Sequence, residues 1–218
     1  MSVDDTFRTL ASPTVGEFRD RGSKFLAFAY PISSEADTRT YLDALRTQHP
    51  KAVHHCYAYR LGLDRNNYRA NDDGEPSGSA GRPILNALYS RDLTNVLVVV
   101  VRYFGGTLLG VPGLINAYKT ATMAALDDAE VTEKTVNEIY QVRYPFEQMN
   151  DVMRLVKEQQ LTVLKQDYDT ACILDIEVRK SLVNTVLERL GKLEGAVFCL
   201  LSSVLSLLLF CYIILSAD

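Results

Sequence analysis

A chain of 218 residues, 47% hydrophobic and 23% charged, carries enough apolar material for one large or two small packed domains, which excludes a disordered chain. The net charge is −4, and dividing the chain at residue 136 leaves neither part basic, so bulk charge does not drive nonspecific nucleic-acid binding, and only a local basic patch would serve RNA. The cysteines Cys56, Cys172, Cys199 and Cys211 form no Cys-x-x-Cys pair or zinc spacing, and there is no signal-peptide pattern, so reduced thiols, a cytoplasmic location and no metal centre are expected.

Residues 14–20 and 23–31 read as a hairpin turning at Arg21-Gly22. Ser34 then stands as N-cap of a helix, with Asp37 three residues on and Tyr41, Leu42 and Leu45 on one face, ending near His49-Pro50. Residues 52–62 read as a strand, 63–79 as a polar, turn-forming stretch and 79–89 as a helix with Ile84, Leu85 and Leu88 inward. The run at 95–103 is almost wholly apolar and predicts a strand buried on both faces. Pro112 lies early in the next helix, where a missing N–H costs little, and Ile115, Tyr118, Thr122 and Leu126 make its expected apolar face.

A second unit, 137–218, begins with an alternating strand. An amphipathic helix follows, with Met149, Val152, Met153 and Val156 expected inward. Two strands flank a turn at Asp169-Thr170, and another helix comes after them. The order β-α-β-β-α lacks only a last strand to be the split βαβ, ferredoxin-like pattern, so the fold class is α+β. Residues 196–215 are uncharged and mostly apolar. Three readings stay open for them: a membrane tether facing the cytoplasm, a buried last strand with a core helix, or a C-terminus altered by a gene-model error.

Four constellations are candidates for chemistry. His54 and His55 are adjacent on a strand, so their side chains face opposite ways and cannot share a ligand; each is either a packed histidine or a titrating one. Asp72, Asp73 and Glu75 lie in a tight loop whose carboxylates either hold a hard cation, although the spacing is not that of an EF-hand, or serve as solvated caps or a structural clasp. Gly105, Gly106 and Gly110 precede a helix, as an anion site would require, but match no Rossmann or P-loop pattern and suit close strand-to-helix packing equally well. Beside them, Arg82, Arg102 and Tyr103 offer cations and a stacking ring. Ser77 and Ser79 are hydroxyls near the acidic loop, without a Gly-x-Ser-x-Gly elbow.

The segments HHCYAY (54–59), DDGEPSGSAGRPIL (72–85) and VVVVRYFGGTLLGVPGLINAY (98–118) resemble the signature of the IMPACT family, also called YigZ-type or UPF0029 proteins. The resemblance runs from about Gly16 to Glu130 and departs from the family at Ser79, where Thr is frequent, and at Val111-Pro112. It implies an N-terminal α/β domain, 1–136, similar to a ribosomal-protein domain and to domain IV of elongation factor G, followed by a ferredoxin-like domain. Eukaryotic relatives are translation regulators. The resemblance therefore implies a translation-associated protein binding RNA, the ribosome or a translation-related protein partner, with no DNA role. The other reading is an enzyme or binding protein for a phosphorylated or nucleotide ligand, built on the acidic and glycine loops. No cofactor is assigned.

Overall fold

The computed structural model describes residues 5–63, 66–168 and 172–201. They form two compact units: residues 7–134, and residues 135–201 together with 5 and 6.

In chain order the first unit contains β1 (Thr6–Leu10), β2 (Thr14–Asp20), β3 (Ser23–Pro31), α1 (Glu35–Gln48), β4 (His54–Arg60), β5 (Tyr68–Asn71), α2 (Gly81–Ser90), β6 (Val96–Tyr103), α3 (Gly110–Asp127) and β7 (Val131–Thr135). Strands β2-β3-β6-β4-β5 make one antiparallel sheet, and β1 pairs with β7. The β2–β3 turn is tight because Arg21 and Gly22 both take positive φ, 45° and 80°, the geometry that matches the twist of a two-residue hairpin. Asp37 fixes the start of α1 by accepting the N–H groups of Ser33 at 2.8 Å and Ser34 at 3.0 Å.

Central β6 explains its own composition. Val96, Val98 and Val100 face α2 and α3, packing with Ile84, Leu88 and Tyr118. Leu97, Val99 and Val101 face the other way and pack with Leu42 and Leu45 of α1. Water reaches neither side, so no polar alternation survives in the sequence.

The buried stripe of α3 is the expected one except at Ile115. Tyr118, Thr122 and Leu126 are buried as expected, Ile115 is exposed, and Leu114, Ala117, Ala121 and Ala125 join the buried face. Towards its C-terminal end α3 comes close to β2: a Cβ on Gly16 would collide with the backbone nitrogen of Ala125. Where helix and strand come that near, alanine and glycine carry the contact.

The second unit contains β8 (Asn137–Tyr144), α4 (Met149–Glu158), β9 (Thr162–Asp167), β10 (Cys172–Arg179), α5 (Val183–Leu190) and β11 (Val197–Leu201). The strand order β11-β8-β10-β9 with two helices is the complete ferredoxin-like arrangement. Its core joins Tyr140, Val142 and Tyr144 of β8 to Leu174 and Ile176 of β10 and to Val152 and Leu155 of α4. Met153, expected inward, is exposed, and Leu155 takes its place in the core. Asp5 belongs to this unit: its carboxylate accepts both Nε and Nη2 of Arg179 at 2.8 Å and the Ser181 N–H at 3.0 Å. Those donors hold the Asp5 carboxyl well below the usual carboxylate range.

Residues 197–201 are the last strand, but not a buried one. β11 is an edge strand, with Val197 51% and Leu200 49% exposed. The rest of the apolar segment, 202–215, lies outside the described residues, as does the turn at Asp169-Thr170. Among the described residues no helix is long and apolar enough to cross a membrane.

Candidate functional site

The acidic loop, 71–81, closes onto the end of β6 and the middle of α3. The Glu75 side chain is only 4% exposed. It accepts hydrogen bonds from Arg102 Nη1 at 2.6 Å and from the Tyr118 hydroxyl at 2.7 Å. Burial pushes the Tyr118 hydroxyl far up, so it stays protonated and donates. Burial likewise pushes the Cys56 thiol up. Its sulfur lies 3.3 Å from the Tyr118 hydroxyl and 3.0 Å from the Asp72 carbonyl oxygen, two acceptors for one proton.

Arg102 is held from several sides. Its Nη2 reaches Ser23 Oγ at 3.5 Å, and its guanidinium lies 5.4 Å from the Phe25 ring centre and 5.6 Å from that of Phe104. Ser23 Oγ also accepts the Gly105 N–H at 3.1 Å. Gly105 is required for packing: a Cβ there would collide with the Gly22 carbonyl carbon.

The three loop carboxylates do not converge on a cation position. Asp72 Oδ1 accepts the N–H groups of Ala80 at 3.0 Å and Gly81 at 2.8 Å, and its Oδ2 accepts that of Gly78 at 2.8 Å. It therefore caps α2 from nine residues upstream, a role that local sequence spacing does not reveal. Asp73 Oδ2 accepts the His55 N–H at 2.6 Å. Among the described residues no group of three or more His, Cys, Asp or Glu side chains is placed to hold a metal ion.

The two histidines separate as adjacent strand residues must. His54 Nδ1 lies 2.7 Å from the Asp73 carbonyl oxygen, which can only accept, so Nδ1 carries the proton. Its Nε2 stands 3.9 Å from Glu75 Oε1, at the rim of the cluster. His55 is buried on the opposite face, and burial lowers its pKa. Tyr103 is on that far face too, with its hydroxyl 2.8 Å from His49 Nδ1.

The cluster thus gathers His54, Asp72, Asp73, Glu75 and Arg102. His55 and Tyr103 lie away from it, and Ser77 and Arg82 are exposed. Ser79 is buried and donates to the Pro76 carbonyl oxygen at 2.6 Å. Gly106 and Gly110 take positive φ, 85° and 69°, shaping the loop into α3. Sequence reasoning missed Ser23, Cys56 and the polar end of Tyr118. The one signal for Tyr118 is a phenol on an otherwise small-residue helix face, where a buried hydroxyl needs a partner.

The family model for the Impact N-terminal domain matches residues 21–126. An "IMPACT family member" of Haemophilus influenzae is 33% identical over 159 residues, covering 72% of this chain and 77% of that protein. The chain belongs to the IMPACT family. A "Protein IMPACT homolog" of Saccharomyces cerevisiae is 38% identical over 112 residues, covering 49% of this chain and 43% of that protein. A crystal structure described as that of a hypothetical protein is 25% identical, with a TM-score of 0.69, and covers 93% of this chain and 99% of that one. Every residue of the Glu75–Arg102–Tyr118 cluster, with Ser23, His54 and Cys56, falls inside the IMPACT match.

Proposed function

We infer that this IMPACT family member is a translation-associated regulatory protein of the cytoplasm that works by binding RNA on the ribosome, without catalysis. Family membership supports the translation link, through eukaryotic relatives that regulate translation and through the resemblance of the N-terminal domain to domain IV of elongation factor G. The observation that carries the non-catalytic part is the state of Glu75. Its carboxylate is enclosed and bound to Arg102 and Tyr118, and the neighbouring thiol and phenol are both held protonated. Such a cluster clasps the acidic loop to the sheet and to α3. It leaves the surface of the domain, rather than an activated side chain, to act.

The test is co-sedimentation of the full chain with ribosomes from cell extract at low and high salt. Association at low salt that is lost at high salt is the expected result. Absence of association with ribosomes, together with no affinity for RNA at low salt, overturns the reading. Association that persists at high salt and survives nuclease treatment assigns the contact to a protein partner instead.

A further inference from the structure

A concave surface lies on the opposite face of the sheet from the Glu75 cluster. It is a cavity of about 300 Å³ between α1 and the β4–β5 edge, at the small end of the range for ligand sites. Glu35, Thr38, Arg39, Leu42, Asp43 and Arg46 line it from α1. Their spacing of three and four residues is that of one helix face. Tyr57, Tyr59 and Arg69 line it from the sheet, where Arg69 pairs directly across from Tyr59.

We propose that this groove binds a nucleoside phosphate unit, with Arg39, Arg46 and Arg69 on the phosphate and Tyr57 against the base or sugar. The proposal rests on the RNA-binding reading above and gives it a site.

Three observations carry it. First, three guanidiniums stand against two carboxylates among the residues lining one cavity, an excess of one positive charge in a chain whose net charge is −4. Second, the two arginines of α1 are held only loosely, and Arg69 is exposed. Arg39 and Arg46 share one carboxylate, Asp43, at 3.9 and 3.8 Å, with side chains 89% and 51% exposed. Arg46 also stands 3.8 Å from Asp73, at the same loose distance. Exposed pairs that long are weak, and a phosphate oxygen competes well for a planar guanidinium. By contrast Arg102 is enclosed and committed to Glu75. Third, the cavity offers more than charge. Tyr57 is half-buried and supplies a ring for stacking. Glu35 and Asp43 supply acceptors for base amino groups, which a bare phosphate would not use. Thr38 is buried beneath the groove surface, and its hydroxyl has no hydrogen-bond partner among the described residues, a deficit that a ligand hydroxyl can relieve.

The nucleoside phosphate can come from RNA or from a free nucleotide, and the experiment separates the two. The full chain is titrated with a fluorescent single-stranded oligoribonucleotide, and then with AMP as competitor. Arg39→Gln and Arg69→Gln are each expected to weaken oligonucleotide binding by about five-fold or more and to make its salt dependence shallower. Tyr57→Leu, which keeps the apolar bulk, is expected to weaken it about ten-fold. Arg154→Gln, exposed in the second unit, is the control and leaves binding unchanged. Oligonucleotide binding that all three groove variants leave intact overturns the groove while the RNA reading stands. AMP binding that the variants abolish, with no affinity for RNA or ribosomes, keeps the groove and overturns the RNA reading. No binding of either probe overturns both.

Discussion

Glu75 and Arg102 form an enclosed ion pair at 2.6 Å, with side chains 4% and 6% exposed. Twenty-seven positions separate them in sequence, and the pair fastens the acidic loop to the end of β6. Removing one partner strands the other charge away from water, which costs about 3–5 kcal/mol for a buried pair. Glu75→Ala is therefore expected to destabilise the first unit by roughly that amount. Tyr118→Phe, which deletes one donor and strands no charge, should cost about 1 kcal/mol. Denaturant unfolding of the three proteins, followed by a probe in the first unit, checks both. Equal effects of the two substitutions would refute the ion-pair account.

Asp72 makes a different contribution, since its oxygens serve the N–H groups at the start of α2. Asp72→Ala is expected to cost about 0.5–2 kcal/mol, the usual range for losing a helix N-cap. Asp72→Asn, which keeps an oxygen acceptor, should recover part of that loss. Hydrogen exchange localises the effect: the amides of Ala80 and Gly81 should lose protection before those of β6. Uniform loss across the sheet would show that Asp72 is not acting as a cap.

The parts of the fold that are legible in the sequence are those set by neighbours in the chain. The hairpin at 14–31 follows from two alternating runs and a turn pair. The double-sided burial of β6 follows from its unbroken apolar composition. Short β5 leaves no such signal, because Tyr68, Arg69, Ala70 and Asn71 are mostly exposed and show no alternation; β4 recruits them by edge pairing. The same division holds at the candidate site. The acidic loop stands out as tight and charged, but the separate jobs of Asp72, Asp73 and Glu75 depend on partners that only the fold supplies. Arg102 reads as a surface cation because its buried acceptor is distant in sequence. Nothing in the sequence singles out the arginines of α1, because only the fold sets Arg69 of β5 beside them.

Cys56 tests the enclosure of the cluster from the inside. The residue is fully buried, and burial pushes its thiol well above the ordinary range. Since the thiolate is the reactive species, Cys56 should resist alkylation at neutral pH in the folded protein and react on addition of denaturant. Mass mapping of iodoacetamide-treated protein provides the readout. Glu75→Ala should speed labelling of Cys56 under native conditions, because the loop that covers it is no longer clasped. Rapid labelling of Cys56 in the unaltered protein would contradict the packing described.

His55 gives the first unit a pH dependence with a definite sign. Burial lowers its pKa in the folded state, against a neighbouring Asp73 that raises it. Arg46 and His49 push the same way as burial. The unfolded chain, with a histidine pKa of about 6.5, binds this proton at a higher pH than the folded chain does. Between the two values the unfolded state holds more protons, so stability rises with pH and falls on acidification below about 6.5. Unfolding midpoints should therefore decline from about pH 7.5 to about pH 5, a range that brackets the reference histidine pKa. His55→Gln, neutral throughout, should flatten that decline. An equally steep decline in the variant would assign the acid sensitivity to other groups.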